Sequence, residues 1–305
     1  MSPSASFLEE AFERVARGGG TGGNISGGGV GQISQINHAK KSVTAKVRYV
    51  DRIWKERAES PRIGSRESRR AATSFYEVQI SDARQRISEG TADLDRSGFT
   101  LDGNVTAIKN FRDDGEVSRV YHEEMKSLVC RVVGAHSAYV LNHLVRTEMP
   151  IDFNDGYARF VHCDYNMRTL DKLAGDVLGR HGVEIKNNWR FAFYNTWQPF
   201  DNPVGNNPLA FIDWESLPEE DVIDYYYTGR DQEGGLVAAP VHNPSHRFCY
   251  FSDMSTQEVL VMKQLDSRPG RSQYCPHTSF DYPTNLQGSL PRRSIETRLV
   301  AVFEE

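Results

Sequence analysis

The sequence predicts an α+β fold built on a jelly roll, in which two β-sheets face each other and helices lie beside them. From residue 157 to the C-terminus, short β-like runs are separated by clusters of Pro, Gly, Asn and Asp. Helical patterns gather before these runs and interrupt them once. This order is typical of mostly antiparallel strands with segregated helices, and therefore favours a double-sheet barrel of jelly-roll type.

The first part of the predicted domain contains a strand, a helix and a second strand. In TSFYEVQISDAR, Tyr76, Val78 and Ile80 alternate with polar residues, as in a half-buried strand. Apolar residues recur at roughly helical spacing from Asp113 to Gly134, and the glycine suits a helix C-cap. The run AYVLNHLVRTE, residues 138–148, predicts the next strand.

The second part reads as a series of short strands around one helix. The helix is predicted over MRTLDKLAGDVLGRHG, residues 167–182. The β-like runs are YARFVHCDY, WRFAFYNTW, PLAFIDW, RFCYFSDM, EVLVMKQLD and IETRLVAVF. No internal repeat is visible in the sequence.

Length and composition predict one large core behind a glycine-rich segment. The chain has 305 residues, of which 38% are hydrophobic and 25% charged, as in a globular protein. We expect a flexible N-terminal segment at residues 1–50 and a single domain at residues 51–305. The run GGGTGGNISGGGVG, residues 18–31, lacks the preceding apolar strand and following helix of a nucleotide-binding loop. We interpret it as a linker.

Charge and cysteine content exclude several classes of protein. The net charge of −5 gives no general reason to bind nucleic acid, and the basic run RIGSRESRR is local. We interpret that run as a solvated or pocket-covering loop. No apolar stretch predicts a membrane span or signal peptide, so we expect a cytoplasmic protein, monomeric or homodimeric. The four cysteines lie far apart, which predicts reduced thiols and neither a disulfide framework nor a zinc ribbon.

A metal site is predicted around the sequence RFVHCDYNMR. In an extended strand His162 and Asp164 point to the same face and Cys163 points away. A face of two histidines and one carboxylate needs a second histidine from a later strand. The late position of His277 favours it, and His246 is the competitor. The remaining histidines have contexts typical of surface, capping or pocket-lining residues.

A second polar face is predicted near the C-terminus, in PRRSIETRLVAVF. Strand alternation places Arg292, Ser294, Glu296 and Arg298 on one side of the run. A guanidinium matches a carboxylate as a planar, two-pronged donor, and a neighbouring hydroxyl can donate to the same group. The spacing therefore indicates a site for a carboxylate ligand close in sequence to His277.

These motifs together resemble a family of fungal and bacterial non-haem iron oxygenases. That family includes the cephalosporin methoxylase component and the gibberellin-desaturase-like and AsaB-like hydroxylases and desaturases of natural-product clusters. The resemblance extends from Phe75 to Phe303. The matching segments are VQISDAR, LDRSGFTL, VHCDY, YNTWQPF, NPLAFID, HRFCYFSDMSTQEVLVMKQLDS, PHTSF and PRRSIETR.

The resemblance implies an Fe(II)- and 2-oxoglutarate-dependent oxygenase on a double-stranded β-helix, the cupin-like form of the jelly roll. His162, Asp164 and His277 would hold Fe(II). Arg292 or Arg298, helped by Ser294, would hold the distal carboxylate of 2-oxoglutarate. With O2, such an enzyme hydroxylates, desaturates or cyclises a small natural-product intermediate and releases succinate and CO2.

For the substrate pocket we expect large side chains from inward strands and covering loops. The candidates are Arg146, Tyr165, Tyr194, Asn195 and Trp197, each of which has a packing role as its alternative. The chain departs from the family pattern at residue 198, where a glutamine stands in place of an expected arginine. Two other functions stay open: a catalytically silent jelly-roll partner that binds an intermediate, and a zinc hydrolase with the same ligands.

Overall fold

The computed structural model describes residues 42–149, 157–228, 235–283 and 290–304. Ten of the strands form two five-stranded sheets, and three more form a small additional sheet. Sheet I contains β1 (Ser42–Val50), β3 (Thr73–Asp82), β7 (Leu209–Ile212), β10 (Phe248–Tyr250) and β12 (His277–Ser279). Sheet II contains β4 (Phe99–Gly103), β5 (Ser137–Arg146), β6 (Trp189–Pro199), β11 (Glu258–Asp266) and β13 (Ser294–Glu304). Sheet III contains β2 (Arg62–Ile63), β8 (Val222–Tyr227) and β9 (Gly235–Pro240).

The strand order of the two large sheets is that of a roll with many crossovers. Sheet I has the order β1-β3-β10-β7-β12, and sheet II the order β4-β11-β6-β13-β5. Neighbouring strands are antiparallel in both sheets, except for β3 and β10. The described helices are α1 (Arg66–Ala72), α2 (Arg84–Ser88), α3 (Asp114–Glu116), α4 (His122–Val133) and α5 (Leu170–Arg180).

Sheet II is buried on both faces. Phe191 and Phe193 of β6 belong to a core cluster shared with residues of sheet I, and Ala192 belongs to a second cluster shared with α4. Val300 and Ala301 of β13 divide between the same two clusters. Because side chains alternate along a strand, residues 195 and 197 of β6 share the inner face with Phe193. The even-numbered residues of β13 share the inner face with Val300.

The predicted amphipathic helix is present and ends where expected. A π-helical turn, Val117–Tyr121, joins α3 to α4, and Met125 and Leu128 are buried on the apolar face. The helix ends at Gly134, whose φ is +68°. Only glycine adopts this left-handed conformation without strain, which is why it terminates so many helices.

Three segments differ from the sequence-based prediction. Residues 42–50 form β1 and pair along their whole length with β3, so the folded part begins before the predicted boundary at residue 50. The rest of the predicted linker lies outside the described residues. The hairpin of β8 and β9 was not predicted, because its tyrosine-rich first strand lacks clear alternation. The run 157–165 is not a regular strand and forms a single bridge, between His162 and His277.

The basic run at residues 62–70 is a fourth segment that differs from the prediction, which was a solvated or pocket-covering loop. It contains β2 and most of α1, whose N-cap Ser65 accepts a hydrogen bond from the Ser68 backbone N–H at 3.0 Å. Among the described residues, no helix combines the length and the apolar character that crossing a membrane requires.

Two glycine substitutions test the backbone geometry in opposite directions. Gly134→Ala places a side chain at positive φ and should lower the free energy of unfolding by about 1 kcal/mol. Gly175→Ala, inside α5, meets no atom within 4 Å and should raise it by about 0.5–1 kcal/mol. Urea unfolding followed by circular dichroism measures both changes. Shifts of the same sign would contradict the assigned helix end.

Candidate metal and cosubstrate site

Two segments far apart in the chain meet at the predicted metal ligands. The His162 N–H donates to the His277 carbonyl at 3.2 Å, and the His277 N–H donates back at 3.0 Å. The His162 Nε2 atom lies 3.8 Å from Asp164 Oδ1, and the His277 Nε2 atom lies 3.5 Å from Asp164 Oδ2. One ligand atom from each residue lies within 4.8 Å of the other two. The structure thus brings the three predicted ligands together.

The His-Cys-Asp segment is held by backbone hydrogen bonds on both sides. The Val161 N–H donates to Arg48 of β1 at 2.8 Å, and the Cys163 N–H donates to Ala238 of β9 at 2.8 Å. Cys163 is fully buried in the core, while His162 and Asp164 belong to the metal cluster. The side chains therefore alternate as the sequence predicted, although the segment is bonded at single residues and not as a regular strand.

Both imidazoles present Nε2 to the centre of the cluster. Nδ1 of His162 lies 2.8 Å from the Phe160 carbonyl, and Nδ1 of His277 lies 3.0 Å from the Cys275 carbonyl. A carbonyl only accepts, so Nδ1 is the donor in each contact and Nε2 is the nitrogen available to a metal. Burial, and secondly the neighbouring His277, lower the pKa of His162 to about 4. This imidazole is therefore neutral at physiological pH, as metal ligation requires.

Asp164 is a buried carboxylate with a donor on each oxygen. Asn195 Nδ2 donates to Oδ2 at 2.5 Å, and Arg298 Nη2 donates to Oδ1 at 2.5 Å. Burial, the largest single influence, would raise the pKa of Asp164, but Arg298, the two neighbouring histidines and the Asn195 hydrogen bond together lower it to about 2. Two imidazoles and one carboxylate are the donor set of non-haem Fe(II) sites, so these residues fit that metal.

A cavity opens directly beside the ligands. Its empty space, open solvent at the mouth included, is about 370 Å³, and its wall combines both metal-site histidines with the polar inner face of β13. Its lining residues are Leu144, Arg146, Ala158, His162, Trp197, Leu209, His277, Ser279, Arg292, Ser294, Glu296 and Arg298. The four residues that alternation placed on one face of the C-terminal run therefore share one cavity.

Arg292 is a buried cation in this cavity. Its Nη1 donates to the Asn207 carbonyl at 2.6 Å, and its guanidinium carbon lies 4.0 Å from the centre of the Tyr157 ring. Within the described ranges, Arg292 has no ion-pair partner and its buried Nε has no hydrogen-bond partner. The buried Ser294 hydroxyl also has none there. Burial lowers the pKa of Arg292 to about 9, so the group is still charged at neutral pH.

A ligand carboxylate would satisfy both of these groups. Buried polar atoms are nearly always hydrogen-bonded, and an unpaired one in a cavity indicates a ligand position. A guanidinium Nε and a hydroxyl on the same strand face can donate to one carboxylate together. Arg292 and Ser294 therefore fit the distal carboxylate of 2-oxoglutarate.

The other predicted site residues fall into three groups. Arg146 and Trp197 line the cavity. Asn195 contacts Asp164, and the Tyr165 hydroxyl donates to Asn195 Oδ1 at 3.2 Å, so both lie behind the metal ligand. Tyr194 packs in the cluster between sheet II and α4. The structure does not bring Tyr194 to the cavity, because it points to the opposite face of β6 from Asn195.

Two further positions are clarified by the structure. His246 lies 2.9 Å from the Tyr49 hydroxyl and 3.4 Å from Asp221, in a separate buried cluster, so it does not compete with His277. Gln198 accepts a hydrogen bond from Tyr121 at 2.8 Å on the helix side of β6. The departure from the family pattern at residue 198 therefore does not alter the cavity wall.

Sequence reasoning missed several residues of the cavity. Ser279 lies two residues after His277 in β12, and its Oγ is 3.4 Å from Arg292 Nη1. Strand alternation from His277 was a signal that could have found it. Leu144, Ala158 and Leu209 also line the wall, but nothing in their local sequence separates them from core residues.

Comparisons with known proteins agree with this geometry. A family model described as an oxidoreductase/YMDC permease-like domain matches residues 45–303. The hydroxylase/desaturase efuI of Hormonema carpetanum is 30% identical over 80% of this chain and 89% of its own length. The Fe(II)/2-oxoglutarate-dependent dioxygenase nvfI of Aspergillus novofumigatus is 27% identical over 73% of this chain and 82% of its own. The solved structure of the endoperoxidase NvfI superimposes with a TM-score of 0.70, at 23% identity, over 87% of this chain and 99% of that one.

The fold and the donor set define a jelly-roll oxidoreductase, which confirms the predicted α+β double-stranded β-helix. The chain belongs to the hydroxylase/desaturase family of Fe(II)- and 2-oxoglutarate-dependent oxygenases. Iron, 2-oxoglutarate and O2 are accordingly its cofactor and cosubstrates, and small molecules are the substrates of its class.

The choice between the two candidate histidines can be tested by metal titration. His277→Ala should weaken Co²⁺ binding at least about 100-fold, because one of three ligands is lost. His246→Gln should leave the Co²⁺ dissociation constant within about threefold, since that residue lies in a separate cluster. Isothermal titration calorimetry on protein shown to be folded by circular dichroism measures both. Equal losses in the two variants would contradict the assignment.

Proposed function

We propose that His162, Asp164 and His277 hold Fe(II), and that Arg292 and Ser294 hold the distal carboxylate of 2-oxoglutarate. The observation that carries this proposal is the shared cavity: both metal-site histidines line it, and so does a buried guanidinium whose Nε has no partner in the described part of the chain. The reaction is the oxidation of a C–H bond in a small natural-product intermediate, coupled to the conversion of 2-oxoglutarate to succinate and CO2.

His162, Asp164 and His277 would hold the metal, and 2-oxoglutarate would bind beside them. Bound Fe(II) with 2-oxoglutarate activates O2 for removal of hydrogen from a substrate C–H bond. The protein contributes geometry and exclusion of water: Trp197, His277 and Arg292 in the cavity wall are almost wholly buried. A dry, shaped wall keeps the oxidant for the bound substrate.

Arg292 is the better clamp for the cosubstrate than Arg298. Arg298 donates to Asp164 and, through Nε, to Glu296 at 2.7 Å, so two carboxylates already offset its charge. The part of the chain that the structure describes gives Arg292 no such partner. A dianionic ligand is therefore expected to bind where the uncompensated charge lies.

The substrate is expected to contact Arg146, Leu144 and Trp197 of the cavity wall. Names among the relatives, hydroxylase/desaturase and dioxygenase, support hydroxylation, desaturation or oxidative cyclisation as the outcome. They do not favour a zinc hydrolase, and the complete ligand set argues against a silent binding partner. Cytoplasmic location and a homodimer stay predictions.

Turnover of the cosubstrate tests the proposed activity. Purified protein with Fe(II), ascorbate and O2 should convert 2-oxoglutarate to succinate, and Asp164→Ala should reduce the rate at least about 100-fold because a metal ligand is lost. Asp171→Ala, an exposed aspartate of α5, serves as the matched control and should keep the wild-type rate. Absence of succinate from the wild-type protein, with or without candidate natural-product substrates, would contradict the proposed activity.

The clamp can be tested separately from the metal. Arg292→Gln should raise the KM for 2-oxoglutarate by about 10- to 100-fold, because a charge-assisted hydrogen bond contributes about 1.5–3 kcal/mol. Its neighbour Arg293 pairs with Glu148 and Asp201 at the surface, and Arg293→Gln should change that KM less than about twofold. An unchanged KM in Arg292→Gln would overturn the assignment.

A further inference from the structure

Two neighbouring strands deliver one donor each to the same carboxylate. Asn195 on β6 and Arg298 on β13 are direct cross-strand partners in sheet II. From these paired positions, the Asn195 amide reaches Oδ2 of Asp164 and the Arg298 guanidinium reaches Oδ1. The orientation of the Asp164 carboxylate is thus fixed by the register of two long, fully paired strands.

Each donor is itself held in place by another side chain. The Tyr165 hydroxyl donates to Asn195 Oδ1 at 3.2 Å, so turning the amide over would place a carbonyl oxygen against Asp164. The Arg298 Nε donates to Glu296 at 2.7 Å, and Asn195 Nδ2 lies 3.3 Å from the same Glu296 oxygen. Asn195 is fully buried, and Tyr165 and Glu296 are more than nine-tenths buried. The group is a closed hydrogen-bonded network around one metal ligand.

We propose that Asn195, Arg298 and Tyr165 are positioning residues that hold Asp164 in the orientation needed for metal binding. This inference rests on the proposed function, in which Asp164 is a metal ligand. It assigns Arg298 to the metal ligand and not to 2-oxoglutarate, and it assigns Asn195 and Tyr165 to the same network and not to the substrate. Groups that orient metal ligands in this way typically contribute about 10- to 100-fold to metal affinity.

The variants must conserve charge. Removing a cation next to a metal site would by itself strengthen metal binding, which would hide a loss of orientation. Arg298→Lys keeps the positive charge but loses the planar fork that spans Asp164 and Glu296. Asn195→Leu removes a neutral donor of similar size. Both changes therefore report on positioning.

The measured quantity is the dissociation constant for Co²⁺, followed by visible absorption and calorimetry. Arg298→Lys and Asn195→Leu should each weaken Co²⁺ binding by about 10- to 100-fold. In the Co²⁺-loaded variants, the dissociation constant for 2-oxoglutarate should stay within about threefold of wild type. Arg292→Gln serves as the reciprocal control. It should weaken 2-oxoglutarate binding and leave the dissociation constant for Co²⁺ unchanged.

A double-mutant cycle tests whether Tyr165 acts through Asn195. Tyr165→Phe removes one hydroxyl and should weaken Co²⁺ binding by about threefold or more, less than Asn195→Leu. In the Asn195→Leu background the same change should have no further effect, because its hydrogen-bond acceptor is gone. Full additivity of the two effects would overturn the role assigned to Tyr165.

The outcomes separate this inference from the proposed function. If the wild-type protein does not bind Co²⁺, or if Asp164→Ala binds it equally well, the metal site itself is wrong. If wild type binds Co²⁺ and Asp164→Ala does not, but Arg298→Lys and Asn195→Leu both bind like wild type, the positioning network is overturned. A loss of 2-oxoglutarate affinity in Arg298→Lys with unchanged Co²⁺ affinity would make Arg298 the cosubstrate clamp. Circular dichroism of the metal-free variants identifies any that fail to fold, and Tyr165→Phe, which removes a single oxygen atom, then carries the test.

Discussion

The reciprocal hydrogen bonds between His162 and His277 are the constraint on which the site depends. They join the start of the His-Cys-Asp segment to the short strand β12, and the side chains of both residues then lie on the same side of this bridge. Each Nδ1 also lies close to a backbone carbonyl two residues earlier in its own segment. Backbone pairing therefore sets the position of the imidazoles, and these local contacts orient their rings.

The inner face of sheet II is apolar at one end of its strands and polar at the other. At one end Phe193 and Val300 pack into the apolar core, and at the other Asn195 and Arg298 surround the carboxylate of Asp164. Polar groups can be buried there because each is hydrogen-bonded or paired with an opposite charge. Against this background, the unpaired Nε of Arg292 and the unpaired hydroxyl of Ser294 are informative. A ligand that supplies an acceptor there would remove their energetic cost.

The sequence predicted the jelly roll and brought His162, Asp164 and His277 forward as ligands, because short spacing and alternation determine which neighbours share a face. The sequence did not show which of residues 194 and 195 of β6 faces the cavity. Every residue of β6 from 191 to 199 is buried, and the run is apolar or uncharged on both faces. Its sequence therefore lacks the alternation that would show which face points to the cavity. Tyr165 and Asn195 are expected from the sequence to contact the substrate, and only three-dimensional contacts show that they lie behind the carboxylate of Asp164.

Arg292 and Arg298 show most clearly what residue type alone leaves undetermined. They lie six residues apart on the same side of one C-terminal segment, and both are candidates for a carboxylate ligand by chemistry and alternation. Their surroundings separate them. The charge of Arg298 is offset by Asp164 and Glu296, and those carboxylates hold its pKa above its usual range despite burial. Burial acts most strongly on Arg292 and lowers its pKa, and Glu296, with which it forms no ion pair in the described part of the chain, opposes this only weakly. An anionic cosubstrate is therefore bound more strongly by Arg292, whose charge is still uncompensated. Arg298 would first have to break its hydrogen bond to the metal ligand Asp164.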